Sequence, residues 1–185
     1  SQGLFFAAGT HSQRDYGLED VARTFFADIV AKSRGGADPD VARAIAEQSA
    51  PTLEWLRRAH GLPWELDTRF RASYGNSRLR VHGWPGRGGL DMIQLLHRKL
   101  GDAQIDVLME TRLVDIIADP DGTICGAALR RSDGKVETVG CEALILACGG
   151  FGANRAMTGR YMPETDTIRY NGHEGSHGDG ILLGQ

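Results

Sequence analysis

The sequence predicts an α/β fold, of which this 185-residue chain is expected to form a mixed α+β part. Apolar residues recur at helical spacing through the first half of the chain, which indicates a layer of helices. Short segments of strand composition separated by turn residues follow, which indicates an antiparallel β-meander. A continuous apolar run at residues 143–148 then ends in Gly149 and Gly150. Such a run is typical of a buried strand in a parallel sheet.

The helical layer is predicted to contain three helices. Residues 18–30 carry the first apolar stripe, and the glycines that follow are expected to end that helix. Asp38–Pro39 is a favourable start for a second helix, with Val41, Ile45 and Ala46 facing the core. The third helix is expected over residues 49–61, where a glycine stops it.

An arginine-rich loop is predicted between these helices and the next one. Its arginines are Arg69, Arg71, Arg78, Arg80 and Arg87, interleaved with Phe70, Tyr74, His82 and Trp84. Two interpretations stay open, a site for an anion such as a cofactor phosphate or a dicarboxylate, and a solvated loop. The glycine-rich turn at residues 83–89 then opens a helix over residues 90–100, with Ile93, Leu96 and His97 in one stripe. This turn does not match GxGxxG.

The last third is predicted to be rich in β-strands. Strand composition appears at residues 105–108, 112–117, 124–129 and 135–139, and the last three are joined by turns containing Asp119–Gly122 and Ser132–Gly134. The buried strand at residues 143–148 follows. Near the end of the chain, Gly178–Asp179–Gly180 precedes Ile181 in a pattern that resembles the first turn of a helix.

The net charge, the apolar runs and the cysteines of the sequence argue against several classes of function. The formal net charge of −3 makes nucleic acid an unexpected partner. No apolar run approaches the ~18 residues that span a bilayer. Cys125, Cys141 and Cys148 form an odd set without a CxxC motif, so we expect free, buried thiols in a reducing, cytoplasmic compartment rather than a disulfide framework or a metal site.

Both ends of the sequence predict that the chain is an internal piece of a larger protein. The apolar segment Leu4–Gly9 begins almost at the first residue, with no initiator Met. The apolar segment after Gly180 stops one turn later, although an isolated helical turn is unstable.

The ordered set of motifs resembles a known flavoprotein family. The set comprises the Ala7-Ala8-Gly9 loop, a helical stretch, a glycine-rich turn opening a helix, the meander, Ile145–Asn154 and Gly178–Ile181. Together these resemble the family of fumarate reductase and succinate dehydrogenase, which includes 3-ketosteroid Δ1-dehydrogenase, aspartate oxidase and tricarballylate dehydrogenase. The resemblance covers nearly the whole chain and implies a partial FAD/NAD(P)-binding-type domain.

The resemblance also implies which residues contact FAD. Ala8, Gly9 and Thr10 would lie against the flavin ring, and Gly178 and Asp179 would approach the flavin. Val114 would present main-chain groups to the adenine. Ala147, Gly149 and Gly150 would pass the adenosine diphosphate half of the cofactor. No catalytic residue and no metal ligand is assigned. FAD is long, so several glycine-bearing loops must converge on it.

The implied segments are residues 1–14 as a flavin-side loop, 15–66 as a helical layer, 67–89 as an Arg/Gly-rich loop, 90–154 as helix, meander and strand end, and 155–185 as a linker toward a capping domain. The family's N-terminal GxGxxG, the acidic residue after it and the capping region with its catalytic groups are absent from the sequence. Leu4 stands where histidyl-linked members place the flavin-bearing histidine. FAD is therefore expected to be non-covalent.

We therefore expect the parent to be an FAD-dependent oxidoreductase that moves a hydride between flavin and a C–C bond of a small carboxylate or ketone. The chain by itself is expected to be inactive and to bind FAD weakly or not at all. Two alternatives stay open. One is a stand-alone enzyme that uses His82, Arg87, His173 and His177, and the other is a non-catalytic ligand-binding or interaction domain.

Overall fold

A computed structural model describes residues 3–69, 71–72 and 74–185, without the side chain of Arg87. Phe70, which the sequence places in the arginine-rich loop, lies outside the described residues. The chain forms two compact units, Ser1–Val107 and Leu108–Gln185. Within the described residues, no helix is both long enough and apolar enough to cross a bilayer.

Within its described residues, the first unit combines α-helices with a small sheet. Its elements are β1 (Phe5–Phe6), α1 (His11–Asp15), α2 (Ala22–Ser33), α3 (Pro39–His60), β2 (Glu65–Leu66), β3 (Val81–Gly83) and α4 (Gly89–Asp102). The sheet is antiparallel in the order β1–β3–β2, with His82 opposite both Phe5 and Leu66. The central strand β3 is buried along its whole length.

Helix α3 corrects the sequence prediction of two separate helices. It runs unbroken for 22 residues although Pro51 lies inside it. Its buried face agrees with the prediction at Ala46 but not at Val41 and Ile45, which are 57% and 51% exposed. The buried residues are Ala42, Ala46, Ser49 and Leu53. The smaller side chains therefore face the neighbouring elements, and Ala46 packs against Phe25 of α2.

The core of the first unit joins the sheet to α3 and α4. Ala7, Leu53, Leu62 and Trp64 are buried at its centre, and Phe5, Leu56, Trp84, Met92, Leu95 and Leu96 pack against them. Helix α4 thus contributes Met92, Leu95 and Leu96. The predicted stripe is partly wrong, because Ile93 is 54% exposed and His97 is also exposed.

The second unit is built on a three-stranded meander. Its elements are β4 (Thr111–Ala118), β5 (Ile124–Arg131), β6 (Val136–Gly140), α5 (Arg155–Tyr161) and α6 (Asp179–Leu183). The strands pair antiparallel in the order β4–β5–β6, which confirms the predicted meander. The helical turn predicted after Gly178 is also confirmed, as α6.

Two predicted strands are wrong. Residues 105–108 have no regular secondary structure, and neither does the apolar run at residues 143–148. Ile145 is 90% exposed, so this run is not buried. A strand forms only where a neighbour satisfies its N–H and C=O groups. Within the described residues every strand pair is antiparallel, and none of these pairs includes the run at 143–148.

The fold class predicted from the sequence is nevertheless confirmed. Helices and two small antiparallel sheets give the predicted α+β mixture.

Candidate cofactor-binding site

The loop predicted to face the flavin ring lies between β1 and α1 and is held by hydrogen bonds to its main chain. The amide of Ala8 donates to Ser49 Oγ at 3.3 Å. The amides of Gly9 and Thr10 both donate to Gln13 Oε1, at 2.7 and 3.1 Å. Gln13 in turn donates its own amide to Thr10 Oγ1 at 3.1 Å, which completes a capping box at the start of α1. All three loop amides therefore have partners within the protein.

A buried histidine fixes the hydroxyl of Thr10. His82 on β3 is fully buried, and its Nδ1 lies 2.8 Å from the carbonyl oxygen of Arg80. Because a carbonyl oxygen only accepts, Nδ1 carries the proton and Nε2 accepts from the Thr10 hydroxyl at 2.9 Å. Burial lowers the pKa of His82 below its ordinary value of 6.5, so the imidazole is neutral near pH 7.

An ion cluster lies beside this histidine. The guanidinium of Arg80 is fully buried and binds Asp20 through two nitrogens, at 2.6 and 3.0 Å, and Asp28 through the third. Gln13 Nε2 donates to Asp20 Oδ2 at 3.2 Å, which links the cluster to the loop. Although burial raises the pKa of Asp28, hydrogen bonds from the Ser77 amide and from Arg80 outweigh it and hold the pKa below its ordinary value.

These contacts bear on both alternatives for the arginine-rich loop. Arg80 is bound to internal carboxylates, and Arg69 binds Asp67 through two nitrogens at 2.9 and 2.8 Å. Arg71 and Arg78 are exposed, as a solvated loop predicts. The full enclosure of His82 also removes it from contact with a substrate, which disfavours the stand-alone His/Arg enzyme.

In the second unit, Val114 occupies a β-bulge of β4. Leu113 is opposite Leu129 and Asp115 is opposite Ala128, so the register of the described strands places no residue of β5 opposite Val114. The extra residue of a bulge is left out of the ladder pairing. The main-chain groups of Val114 therefore take less part in the ladder pairing than those of its neighbours.

The glycine segments of the second unit meet each other. The amide of Gly178 donates to the carbonyl oxygen of Gly150 at 3.1 Å. Gly178 has a φ of 81°, and a Cβ there would lie 2.6 Å from Met157 Sδ, so both backbone conformation and packing require glycine. Gly149 also has a positive φ, of 73°, whereas a Cβ on Gly150 would meet nothing within 4 Å. The main chain at Gly150 is thus open on that side, and Ala147 before it is exposed.

Asp179 begins α6 and is paired with β4. Its two carboxylate oxygens accept from Arg112, from Nε at 3.1 Å and from an Nη at 2.8 Å. The hydrogen bond to Asp179 raises the pKa of Arg112. Since Arg112 lies two residues before Val114, this ion pair connects the bulged part of β4 to the segment that contains Gly178.

The structure thus gathers the predicted residues in two groups, one in each unit. Residues 8–10 form a braced loop, and Gly149, Gly150, Gly178 and Asp179 meet in the second unit with Val114 on the strand paired to Asp179. Open glycine main chain and an unpaired bulge residue fit a long ligand that approaches backbone closely, as a dinucleotide does. Among the described residues, no cluster of three or more His, Cys, Asp or Glu could hold a metal ion.

Comparison with known proteins identifies the family of the chain. A family model described as FAD binding domain matches residues 1–185. The chain belongs to this FAD binding domain family. FAD is the cofactor of the family, and the resemblance inferred from the motifs is confirmed.

Relatives of this FAD binding domain are named as reductases. A probable fumarate reductase, Ifc3, from Shewanella frigidimarina is 28% identical over 187 residues, which are 99% of this chain and 31% of the relative. A urocanate reductase from Eggerthella lenta is 30% identical over 168 residues, which are 90% of this chain and 27% of the relative. A solved flavocytochrome c3 fumarate reductase in an open conformation is 28% identical, with a TM-score of 0.86 over 99% of this chain and 32% of that chain. The chain therefore spans less than a third of the length of these proteins.

Sequence reasoning misses the parts that brace residues 8–10. It treats Arg80 as a candidate anion ligand and gives His82 little weight. The alternation Leu79, Arg80, Val81, His82 is a signal for a strand with two polar residues on one face. Their partners, Asp20 and Thr10, lie 60 and 72 residues away, where no local pattern points to them.

Proposed function

We propose that the full protein containing this FAD binding domain is an FAD-dependent oxidoreductase that acts on a C–C bond of a small unsaturated carboxylate. The observation that carries the proposal is the family match over residues 1–185, together with relatives named for fumarate and urocanate reduction. Fumarate and urocanate share a C=C bond conjugated to a carboxylate. A conjugated carboxylate is therefore the first substrate class, and a steroid-like ketone is the second.

In this proposal, bound FAD supplies hydride transfer at flavin N5, and the chain binds and orients it. The loop of Ala8, Gly9 and Thr10 would lie against the flavin ring, and the main chain of Val114 would meet the adenine. Ala147, Gly149 and Gly150 would pass the adenosine diphosphate half, and Gly178 and Asp179 would lie on the flavin side. No residue of this chain is assigned the transfer of a proton to substrate.

The braced loop supports the proposed role of residues 8–10. A surface that orients a ring must hold its shape as the ligand binds, and lost conformational freedom would otherwise weaken binding. Gln13, Ser49 and His82 already restrict the loop before any ligand arrives. The half-buried Gly9, with a φ of 83°, is then the part of the loop that can touch the ring.

Non-covalent FAD and a cytoplasmic location belong to the same proposal. Leu4 occupies the position of the flavin-linking histidine in the members that have one, and leucine forms no such bond. The three cysteines are free thiols, which suits a reducing compartment.

The test uses the full-length protein beside the 185-residue chain. FAD titration followed by flavin fluorescence should saturate with the full-length protein and give weak or no binding with the chain alone. Flavin reduced under anaerobic conditions in the full-length protein should be reoxidised by fumarate, urocanate or acrylate. Failure to bind FAD would refute the cofactor assignment, whereas binding without reoxidation by any of the three would refute only the substrate class. Turnover by the 185-residue chain alone would contradict its expected inactivity.

A further inference from the structure

Two cysteines face each other at one end of the β5–β6 ladder. The register pairs Gly126 with Gly140 and Ala127 with Val139. One step further along the same register, Cys125 is opposite Cys141, and the amide of Cys141 donates to the carbonyl oxygen of Cys125 at 3.1 Å. No sequence motif points to this pairing, because the two residues are 16 positions apart and form no CxxC.

The separation of this pair suits a disulfide. Residues directly opposite in an antiparallel ladder have Cα atoms about 4.5–5.5 Å apart. Disulfides bridge Cα atoms about 4.4–6.8 Å apart. The Cys141–Cys125 hydrogen bond marks a hydrogen-bonded pair, whose Cα separation of about 5.5 Å lies within this range. A bond therefore requires side-chain rotation and a small approach of the two strand ends, since Cβ atoms of opposite residues are about 4.5–5.5 Å apart and a disulfide brings them to about 3.5–4.5 Å.

Both thiols are accessible and weakly held, which corrects the expectation of buried cysteines. Cys125 and Cys148 are exposed and Cys141 is half-buried. The register also places Cys125 in a β-bulge between the pairs Ile117–Gly126 and Ala118–Ile124. Its Sγ has a long contact, 3.6 Å, with the carbonyl oxygen of Ile117, and a thiol is a weak donor, so little is lost when Sγ turns toward Cys141.

We propose that Cys125 and Cys141 form a reversible dithiol–disulfide site that reacts with a low-molecular-weight disulfide such as oxidised glutathione. The thiolate of one cysteine attacks a sulfur of glutathione disulfide, whose S–S bond breaks, and one glutathione leaves as a thiolate. The second cysteine then attacks the protein sulfur of this mixed disulfide and releases the second glutathione. The two cysteines lose two protons and two electrons in total, and the glutathione disulfide is reduced to two thiols.

The bond would act on a segment of the candidate cofactor site. Cys141 immediately follows β6 and begins the stretch that leads to Gly149 and Gly150. A bond from Cys141 to Cys125 ties the start of that stretch to β5. Oxidation therefore restricts the start of the segment that lacks strand partners.

The test follows thiol state in the purified, reduced 185-residue chain and in the full-length protein. Each is equilibrated with mixtures of oxidised and reduced glutathione, free thiols are alkylated, and the disulfide is located by peptide mass mapping. We expect a Cys125–Cys141 bond, a mass lower by two hydrogens, and alkylation of Cys148. Cys148→Ser should leave this bond unchanged, whereas Cys125→Ser and Cys141→Ser should each leave a mixed glutathione adduct instead.

Three results would overturn the proposal. One is a disulfide that includes Cys148 in the folded protein, another is glutathione adducts without an internal bond, and the third is resistance of Cys125 and Cys141 to oxidation. Oxidation of the wild-type chain in concentrated urea tests the role of the fold without any substitution. There the preference for the Cys125–Cys141 bond over bonds to Cys148 should be reduced, and an equal preference in urea would show that strand register does not direct it.

Discussion

The two units present their candidate cofactor segments in opposite ways. In the first unit, residues 8–10 are held by hydrogen bonds to Gln13, Ser49 and His82 and rest on buried side chains. In the second, residues 143–150 lack regular structure and leave Ile145 90% exposed. The first segment carries its own support, whereas the second needs contacts from a ligand or from further packing. The first unit should therefore respond most strongly to loss of internal polar contacts.

Removal of the buried guanidinium should produce the largest effect. Arg80→Met leaves the carboxylate of Asp20, whose side chain is fully buried, without its cation. Breaking a buried ion pair from one side costs about 3–5 kcal/mol. Urea unfolding should report this loss, and amide hydrogen exchange should assign it to residues of the first unit.

The matched control is Arg78→Met, because Arg78 is an exposed arginine of the same loop. It should change the free energy of unfolding by less than about 0.5 kcal/mol. Equal losses for the two variants would mean that the buried cluster does not support the first unit.

Gly178→Ala should have the next largest effect and should act on the second unit. Alanine at a φ of 81° is strained, and its Cβ would lie 2.6 Å from Met157 Sδ and 2.9 Å from Phe151 Cβ. We expect a loss of about 2–4 kcal/mol, the sum of about 1 kcal/mol from backbone strain and about 1–3 kcal/mol from overpacking.

Gly134→Ala separates these two causes, because Gly134 has a φ of 84° but a Cβ at this position would meet nothing within 4 Å. It should show the backbone strain alone, about 1 kcal/mol. If Gly178→Ala lowered the free energy of unfolding no more than Gly134→Ala does, in thermal or urea unfolding, the close packing around Gly178 would not contribute to the loss.

The meander and the apolar run show which part of the fold a single sequence can predict. The strands of the meander are joined by short turns at Asp119–Gly122 and Ser132–Gly134, so each strand finds its partner nearby in sequence. The run at residues 143–148 has equally strong apolar character, but a strand also requires a neighbour. Composition predicts that a segment is suited to a strand, and only the tertiary structure decides whether a partner is present.

The same contrast applies to the candidate site. The roles of Gly149 and Gly178 can be predicted from motifs, because their positive φ values of 73° and 81° favour glycine at these positions of the sequence. The hydrogen bond between Thr10 and His82 cannot be predicted in this way, because threonine and histidine both occur in many structural environments. Pro51 misleads the prediction of α3, because a proline usually ends a helix and here the helix continues through it.

A pH titration of stability should separate the neutral histidine from the ion cluster. Burial lowers the pKa of His82 from 6.5, so below about pH 6.5 the unfolded state takes up a proton that the folded state does not. Stability should therefore fall as the pH drops below about 6.5 toward the lowered pKa of the folded state, by at most about 1.4 kcal/mol per pH unit from this group. The contribution of Asp28, whose pKa is lowered from 3.8, is lost only at lower pH.

Urea unfolding at about pH 7.5, 6.5 and 5.5 measures this slope. His82→Gln should reduce it, and His97→Gln provides a matched substitution at an exposed position on α4. An unchanged slope in His82→Gln would contradict a buried neutral imidazole at this position.

The smallest effect is expected for the arginine–aspartate pair of the second unit, Arg112 and Asp179. Arg112 and Asp179 share two hydrogen bonds, as Arg80 and Asp20 do, but the Arg112 side chain is 60% exposed and that of Arg80 is fully buried. Solvent and salt screen an exposed pair, so Asp179→Asn should cost at most about 1 kcal/mol, and about 1 M salt should remove most of that loss. The loss in Arg80→Met should persist in salt, because screening reaches buried charges poorly. If Asp179→Asn cost as much as Arg80→Met in urea unfolding at both salt concentrations, burial would not be what distinguishes the two pairs, and the second unit would depend on internal charge pairing as strongly as the first.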